Sequence, residues 1–225
     1  MGSEGSTLYS GPVVVSSLTI GGRAIRVVRP SDPDRLLDDP GVLAWNRRDD
    51  YMPYWAYLWP GAYLLAEAVA RESWPEDREA EALEIGCGLG LAGLVAVTRG
   101  MKVRFTDYDR TPLEFVARSG AENGFEPERY ATGLLDWRDL PGDRYPIILG
   151  ADVTYEMRLV PLVANVLATM LAPGGVGLIS SPYRVADETF PKTVGSLGLT
   201  CRAESASATT EDGRAVSGTI YRVTR

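Results

Sequence analysis

Residues 83–90 read LEIGCGLG, and their glycine spacing suits the binding of a nucleotide-like ligand. A short apolar strand ending at Ile85 and a helix beginning near Leu91 leave Gly86, Gly88 and Gly90 to make a tight turn that a ligand can approach closely. Amides exposed at such a helix start favour an anionic group, such as a carboxylate or phosphate. Asp107 follows the next apolar run about 20 residues on, where a carboxylate can grip a ribose diol. Tyr108 beside it can stack on a base. Glu84 lies inside the first strand, and a carboxylate there needs a polar or cationic partner.

The segment Gly88-x-Gly90-x-x-Gly93 matches the dinucleotide fingerprint. Three points weigh against a nicotinamide enzyme. That register starts two residues too late, past the strand end. A Tyr-x-x-x-Lys pair is missing: four residues before Lys102 stands Thr98, and before Lys192 stands Glu188. A chain of 225 residues also leaves no room for a separate substrate domain.

Other chemistry is removed by composition. The chain has no histidine, which excludes Ser-His-Asp and Cys-His nucleophile systems and histidine-based zinc sites. Cys87 and Cys201 are too few for a disulfide framework or a four-cysteine zinc site, so no metal is expected and a reducing compartment is. No leader pattern and no apolar run near 20 residues is present, which reads as a cytoplasmic protein without a membrane partner. The net charge of −7 argues against nucleic acid and suits a basic partner.

The elements around these residues follow from periodicity. Residues 13–20 and 23–29 are β-branched runs joined by Gly21-Gly22, the pattern of a β-hairpin. Residues 31–39 suggest a short helix, and 45–61 (WNRRDDYMPYWAYLWPG) an irregular aromatic stretch. Residues 1–11 are small and polar and read as disordered. A helix over 61–71 leads to alternating strands and helices: strands at 82–85, 103–106, 130–135, 146–151 and 176–180, and helices at 91–98, 111–123, 157–171 and 187–197. Thr111-Pro112-Leu113-Glu114 reads as a capping box, and Pro173-Gly174-Gly175 as a helix stop. Strands at 199–208 and 216–224 have no helix between them and should pair as a hairpin. The fold class is therefore α/β, a Rossmann-like, mostly parallel sheet with an antiparallel C-terminal hairpin and an N-terminal β-hairpin extension. Residues 1–60 form the extension and 61–225 the ligand-binding domain, in one globular unit. In such a sheet ligands bind beyond the carboxyl ends of the strands. Ile85, Thr106, Leu135 and Ala151 end four of them, so the glycines, Asp107, Asp136-Trp137 and Asp152 should share one rim.

Acid, glycine loop and ribose acid together resemble motif I of the class I S-adenosylmethionine-dependent methyltransferases, whose seven-strand sheet ends in an antiparallel hairpin. YWAYLWPG (54–61), TDYD (106–109), LLDWR (134–138) and GADVTY (150–155) narrow the resemblance to the seven-strand protein-lysine methyltransferases, over roughly residues 50–185. That family includes the electron-transfer-flavoprotein β-subunit lysine methyltransferase. The resemblance implies that Trp59 lines the pocket near the methionine end of the cofactor. It implies that Gly86, Cys87 and Gly88 touch S-adenosyl-L-methionine through their backbone and that Asp107 holds its ribose. Trp137 with Asp136 would contact adenine, Ala151 would contact the cofactor, and Asp152 with Tyr155 would form an Asp-x-x-Tyr signature at the substrate mouth. Glu84, Gly90 and Tyr108 complete the expected cofactor set. For Tyr54 and Trp55 core packing is the expectation, and Ser-Pro-Tyr-Arg (181–184) reads as a turn.

The expected reaction is in-line methyl transfer, leaving S-adenosyl-L-homocysteine, to an accessible lysine of a protein. Asp152 would hold the incoming ammonium and Tyr155 would orient it. Two other readings stand beside it: a small-molecule N- or O-methyltransferase on the same fold, and a cofactor-binding module without catalysis.

Overall fold

The computed structural model describes residues 9–74, 80–182 and 188–225, with Asp49 by its backbone alone. Residues 1–8 of the polar N-terminus, and Tyr183 and Arg184 of the Ser-Pro-Tyr-Arg segment, lie outside the described residues.

The chain opens with β1 (Val13–Ile20) and β2 (Arg23–Pro30), paired antiparallel with Val13 opposite Pro30 and Ile20 opposite Arg23. Gly21 and Gly22 carry φ of 55° and 76°, the left-handed pair that a two-residue hairpin turn needs. A 3-10 turn over Pro33–Asp38 stands in the expected short helix.

Helix α1 (Pro40–Asp49) corrects the irregular reading of the segment that begins at residue 45. Its start has a physical cause: Asp39 Oδ1 accepts from Gly41 N at 2.8 Å and Val42 N at 3.1 Å, and Pro40 takes the first helical position. After a 3-10 turn at Tyr54–Ala56 comes α2 (Pro60–Arg71).

The main sheet is built from β3 (Glu81–Glu84), β4 (Lys102–Asp107), β5 (Tyr130–Leu134), β6 (Tyr145–Ala151), β7 (Leu171–Ser181), β8 (Thr200–Thr209) and β9 (Ala215–Thr224). Their order is β5-β4-β3-β6-β7-β9-β8. The first five are mutually parallel, whereas β9 runs antiparallel to both β7 and β8. The sheet is thus entered at its middle, built outward to β5, and resumed on the other side at β6. The direction of winding reverses between β3 and β6, and ligands of such sheets bind at the strand ends beside this point.

The connecting helices are α3 (Leu91–Thr98), α4 (Arg110–Glu122), α5 (Val160–Met170) and α6 (Thr189–Ser196). Strand alternation divides the core in two. Ala82, Phe105, Ile147, Leu149, Leu178 and Ile220 pack with α2, α3 and α4. Leu83, Ile85, Ile148, Ile179 and Tyr221 pack with α5 and α6 on the other face.

Two further boundaries differ from expectation. Helix α4 is capped by Asp109, whose Oδ1 accepts from Thr111 N at 2.9 Å and Thr111 Oγ1 at 3.0 Å. A carboxylate two residues earlier outcompetes the expected Thr111 cap, and Thr111 becomes its donor. Helix α5 ends at Met170, so Pro173-Gly174-Gly175 falls within β7 as an irregularity in its pairing with β6 rather than as the helix stop. Among the described residues no helix is long and apolar enough to cross a membrane.

The N-terminal hairpin shares the first core face. Ile25 and Val27 are fully buried in it. Ser119 Oγ accepts from Val28 N at 2.9 Å, and the Asn123 amide exchanges hydrogen bonds with Arg26 N at 2.9 Å and Arg26 O at 2.6 Å. The hairpin is thereby pinned along α4.

Candidate active site at the carboxyl rim of the sheet

The glycine loop takes its shape from left-handed backbone at Gly86, Gly88 and Gly90, with φ of 54°, 50° and 72°. At Gly90 the need for glycine is also steric, since a Cβ would lie 2.8 Å from Val116 Cγ2. Cys87 N donates to Thr106 O at 2.9 Å, Gly90 N to Cys87 O at 2.7 Å, and Gly88 N to Asp107 Oδ2 at 2.9 Å. These amides are committed within the fold. The open anion cradle expected of the loop is correspondingly restricted, and Gly88 instead fastens the loop to the acid that follows β4.

Glu84 is 1% exposed and turns beneath α3, where Oε2 accepts from Gly93 N at 3.0 Å. That is the polar partner its burial demands, supplied by the first turn of a helix. Burial pushes its carboxyl up to about 8. Glu84 therefore supports the loop from below, with almost no surface of its own open to solvent.

Asp107 accepts from Gly88 N and, through Oδ1, from Asp109 N at 3.1 Å. Burial raises its pKa to about 6 against these hydrogen bonds. Tyr108 is 45% exposed, with the Arg138 guanidinium 5.3 Å from its ring centroid. Arg138 is itself forked onto Asp136, at 2.8 Å from Nε to Oδ1 and 2.7 Å from Nη2 to Oδ2. Asp136 is so held by Arg138 below its ordinary carboxylate range. Trp137 sits between this pair and the loop, since a Cβ on Gly86 would lie 3.1 Å from its Cζ2 and 3.2 Å from Val153 Cγ1. The loop, the end of β5 and the end of β6 meet there.

Beyond Ala151, the last residue of β6, Asp152 adopts φ of 55°. A non-glycine residue in this region is uncommon and marks a site where the surroundings over-determine the backbone. Asp152 Oδ2 accepts from Gly61 N at 2.7 Å, Asp152 N donates to Ser180 O at 3.2 Å, and Ser180 Oγ donates to Gly61 O at 2.8 Å. Helix α2 has no cap from its own Trp59 side chain, so Asp152 supplies one from across the sheet. Gly61 is required for this approach, because a Cβ there would lie 2.4 Å from Asp152 Oδ2. Burial raises the Asp152 pKa to about 6, opposed by the Gly61 amide.

Tyr155 is 43% exposed, and burial of its hydroxyl pushes its pKa up to about 12, with the charges of Glu156 and Asp107 among the contributors. Its ring meets Tyr54 edge-on at 5.6 Å, and Tyr54 meets Trp59 edge-on at 5.8 Å. Trp59 and Tyr54 are both partly open to solvent. Tyr54 therefore belongs to the rim and not to the core, contrary to the packing expectation. Trp55, 8% exposed, does pack inside, against Phe115. Tyr51 carries no sequence signal of its own. Its hydroxyl hydrogen-bonds Asp109 Oδ2 and accepts from Trp55 Nε1 at 3.0 Å, tying the aromatic stretch to the turn after β4. Ser180, which completes the Asp152 lock, also carried no sequence signal. Among the described residues no cluster of Cys, Asp or Glu is arranged to hold a metal ion.

A family described as lysine methyltransferase has a sequence model that matches residues 55–195. Protein N-lysine methyltransferase METTL21A of Danio rerio is 32% identical over 115 residues, 48% of this chain and 52% of that protein. EEF1A lysine methyltransferase 3 of Mus musculus is 28% identical over 141 residues, 60% of each chain. The chain thus aligns with about half to three-fifths of the length of these relatives. Among solved structures, the Thermus thermophilus 16S rRNA N2 G1207 methyltransferase RsmC superposes with a TM-score of 0.61 at 17% identity, covering 95% of this chain and 51% of that one. The magnesium protoporphyrin IX methyltransferase of Synechocystis gives 0.58 at 15% identity, over 85% and 94%. At these identities the likeness is one of fold.

Proposed function

The chain belongs to the lysine methyltransferase family, and from that premise we propose that it transfers a methyl group from S-adenosylmethionine to a lysine side chain of a protein. The observation that carries the proposal is Asp152, a half-buried carboxylate locked between α2 and β7 on the rim that holds the glycine loop and Asp107. The relatives named as protein N-lysine methyltransferases support it.

The rim fits the cofactor. Gly86 leaves a space beside Trp137 that a side chain would fill, Asp107 is fastened to the same loop through Gly88 N, and the Tyr108 ring, partly exposed, lies against Arg138. In this reading Trp137 and Tyr108 contact the adenine, Asp107 the ribose hydroxyls, and Gly86, Gly88, Ala151 and Trp59 the remainder. Bound there, S-adenosylmethionine supplies a methyl already activated by sulfonium charge. The protein must align the nucleophile and strip water from it. Asp152 attracts the lysine ammonium, and once water has taken the proton the carboxylate steers the amine lone pair. Tyr155 fixes the side chain's approach. At neutral pH Asp152 is a carboxylate, since its pKa near 6 lies below. A basic protein partner suits the net charge of −7. The two free cysteines suit a reducing, cytoplasmic setting.

The test is labelled-methyl transfer to source-cell lysate, followed by mass spectrometry of the labelled species. A labelled lysine in a protein band is expected. Label confined to metabolites would replace the protein acceptor with a small molecule, and binding of S-adenosylmethionine without any turnover would leave a non-catalytic module. Asp152→Asn keeps an acceptor for Gly61 N, so it should retain cofactor affinity in calorimetry and lose transfer at least a hundredfold. Transfer within a few-fold of wild type would remove Asp152 from the mechanism.

A further inference from the structure

Three partly exposed rings, Tyr54, Trp59 and Tyr155, pack together, and Tyr155 lies near Asp152 in the chain. Tyr54 meets Trp59 at an interplanar angle of 79° and Tyr155 at 79°, so Tyr54 is the shared wall of two near-perpendicular corners. All three are partly exposed, at 40%, 37% and 43%, which is unusual for large aromatic side chains that merely fill a core. Each end of the set is tied to the same carboxylate. Trp59 precedes Gly61, whose amide holds Asp152, and Tyr155 follows Asp152 by three residues. Trp59 is braced by its Nε1 donating to Tyr54 O at 2.7 Å. Tyr57 packs on Trp59 as well, at 5.5 Å, so this is a cluster of partly exposed rings tied through the chain to a carboxylate, a set that complements an alkylammonium ion.

We infer that Tyr54, with Trp59 and Tyr155, forms a cation-selective mouth that admits lysine and methyl-lysine side chains by their charge as well as their length. The inference rests on the lysine reading above and adds Tyr54 as a specificity-determining residue. A neutral acceptor of the same shape gains the apolar contact but neither the π-face attraction nor the pull of Asp152. Methylated ammonium ions, which shed water more readily than the bare ion, stay suited to the same faces.

The test uses the full chain and two probes, N-acetyl-trimethyl-lysine methylamide and its uncharged analogue with tert-butyl in place of trimethylammonium. Binding is followed by the indole N–H resonance of Trp59. Wild type should prefer the cation by roughly five-fold, Tyr54→Phe should keep that preference, and Tyr54→Leu should lose most of it. Equal binding of both probes, no binding of either, or an undiminished preference in Tyr54→Leu overturns the inference. A parallel transfer assay separates the two readings. Lysine transfer without cation preference removes the mouth alone, whereas cation preference without lysine transfer removes the lysine reading.

Discussion

Glu84 is a carboxyl buried under a helix start, and its protonation sets a pH dependence of stability. Its folded pKa of about 8 stands above the ordinary 4.5, so the folded state binds the proton more tightly than the unfolded chain. The stability contributed by the neutral form is complete below about pH 4.5 and is lost as pH climbs through about 8. Glu84→Gln keeps an acceptor for Gly93 N without the ionisation. The fall in Tm between pH 6 and pH 9 should therefore be smaller in Glu84→Gln than in wild type, read by thermal scans at both pH values. Equal falls would mean that Glu84 is not the group responsible. Asp152 acts in the opposite sense on activity, because its charged form holds the substrate cation. Transfer should rise with pH through about 6, and pH–rate profiles of Tyr155→Phe should keep that limb. Glu84 was legible as a buried acid in need of a partner, but its partner was not. Which backbone amide reaches an acid from α3 depends on how the helix lies over the strand, and no residue type in the sequence records that.

At the scale of elements, the site is held by helix starts. Helix α2 is capped by a carboxylate 91 residues away, and Gly61 is the hinge of that contact. Gly61→Ala would place a methyl against Asp152 and displace it. The expected outcome is a folded protein with normal circular dichroism and transfer reduced at least tenfold. The Trp-Pro-Gly run was legible as a helix start, and Gly61's reason for being glycine was not, since it lies on another strand. Gly90→Ala works on packing and backbone together. It imposes φ of 72° on alanine and drives its Cβ against Val116 and Phe105, so a loss of about 2–4 kcal/mol is expected in urea unfolding. Helix α1 shows how local chemistry can be overlooked: Asp39-Pro40 is a cap and first-position pair, but the prolines and aromatics that follow masked it.

For the molecule as a whole, alternation of strand and helix made the sheet and its hairpin legible, because apolar periodicity reports burial and seven strands in this order bury both faces. Convergence at the rim was legible for the same reason, since the glycine loop, Asp107, Asp136-Trp137 and Asp152 all stand at or just past strand ends. The docking of the N-terminal hairpin was not, because Ser119 and Asn123 look like ordinary polar residues of a helix until β2 lies beside them. Ser119→Ala together with Asn123→Ala should lower Tm by several degrees in calorimetry, still as one transition, because the hairpin's Ile25 and Val27 belong to the main core. Two separate transitions would show the hairpin to be independent. The three raised carboxyls, Glu84, Asp107 and Asp152, have a consequence beyond their own neighbourhoods. With no imidazole in the chain, Asp107 and Asp152 are raised acids held at the rim, and Glu84 is a third buried beneath α3. Calorimetry of cofactor uptake in buffers of differing ionisation heat would then count protons moved at the binding site itself, on a background that most enzymes of this size obscure with their histidines.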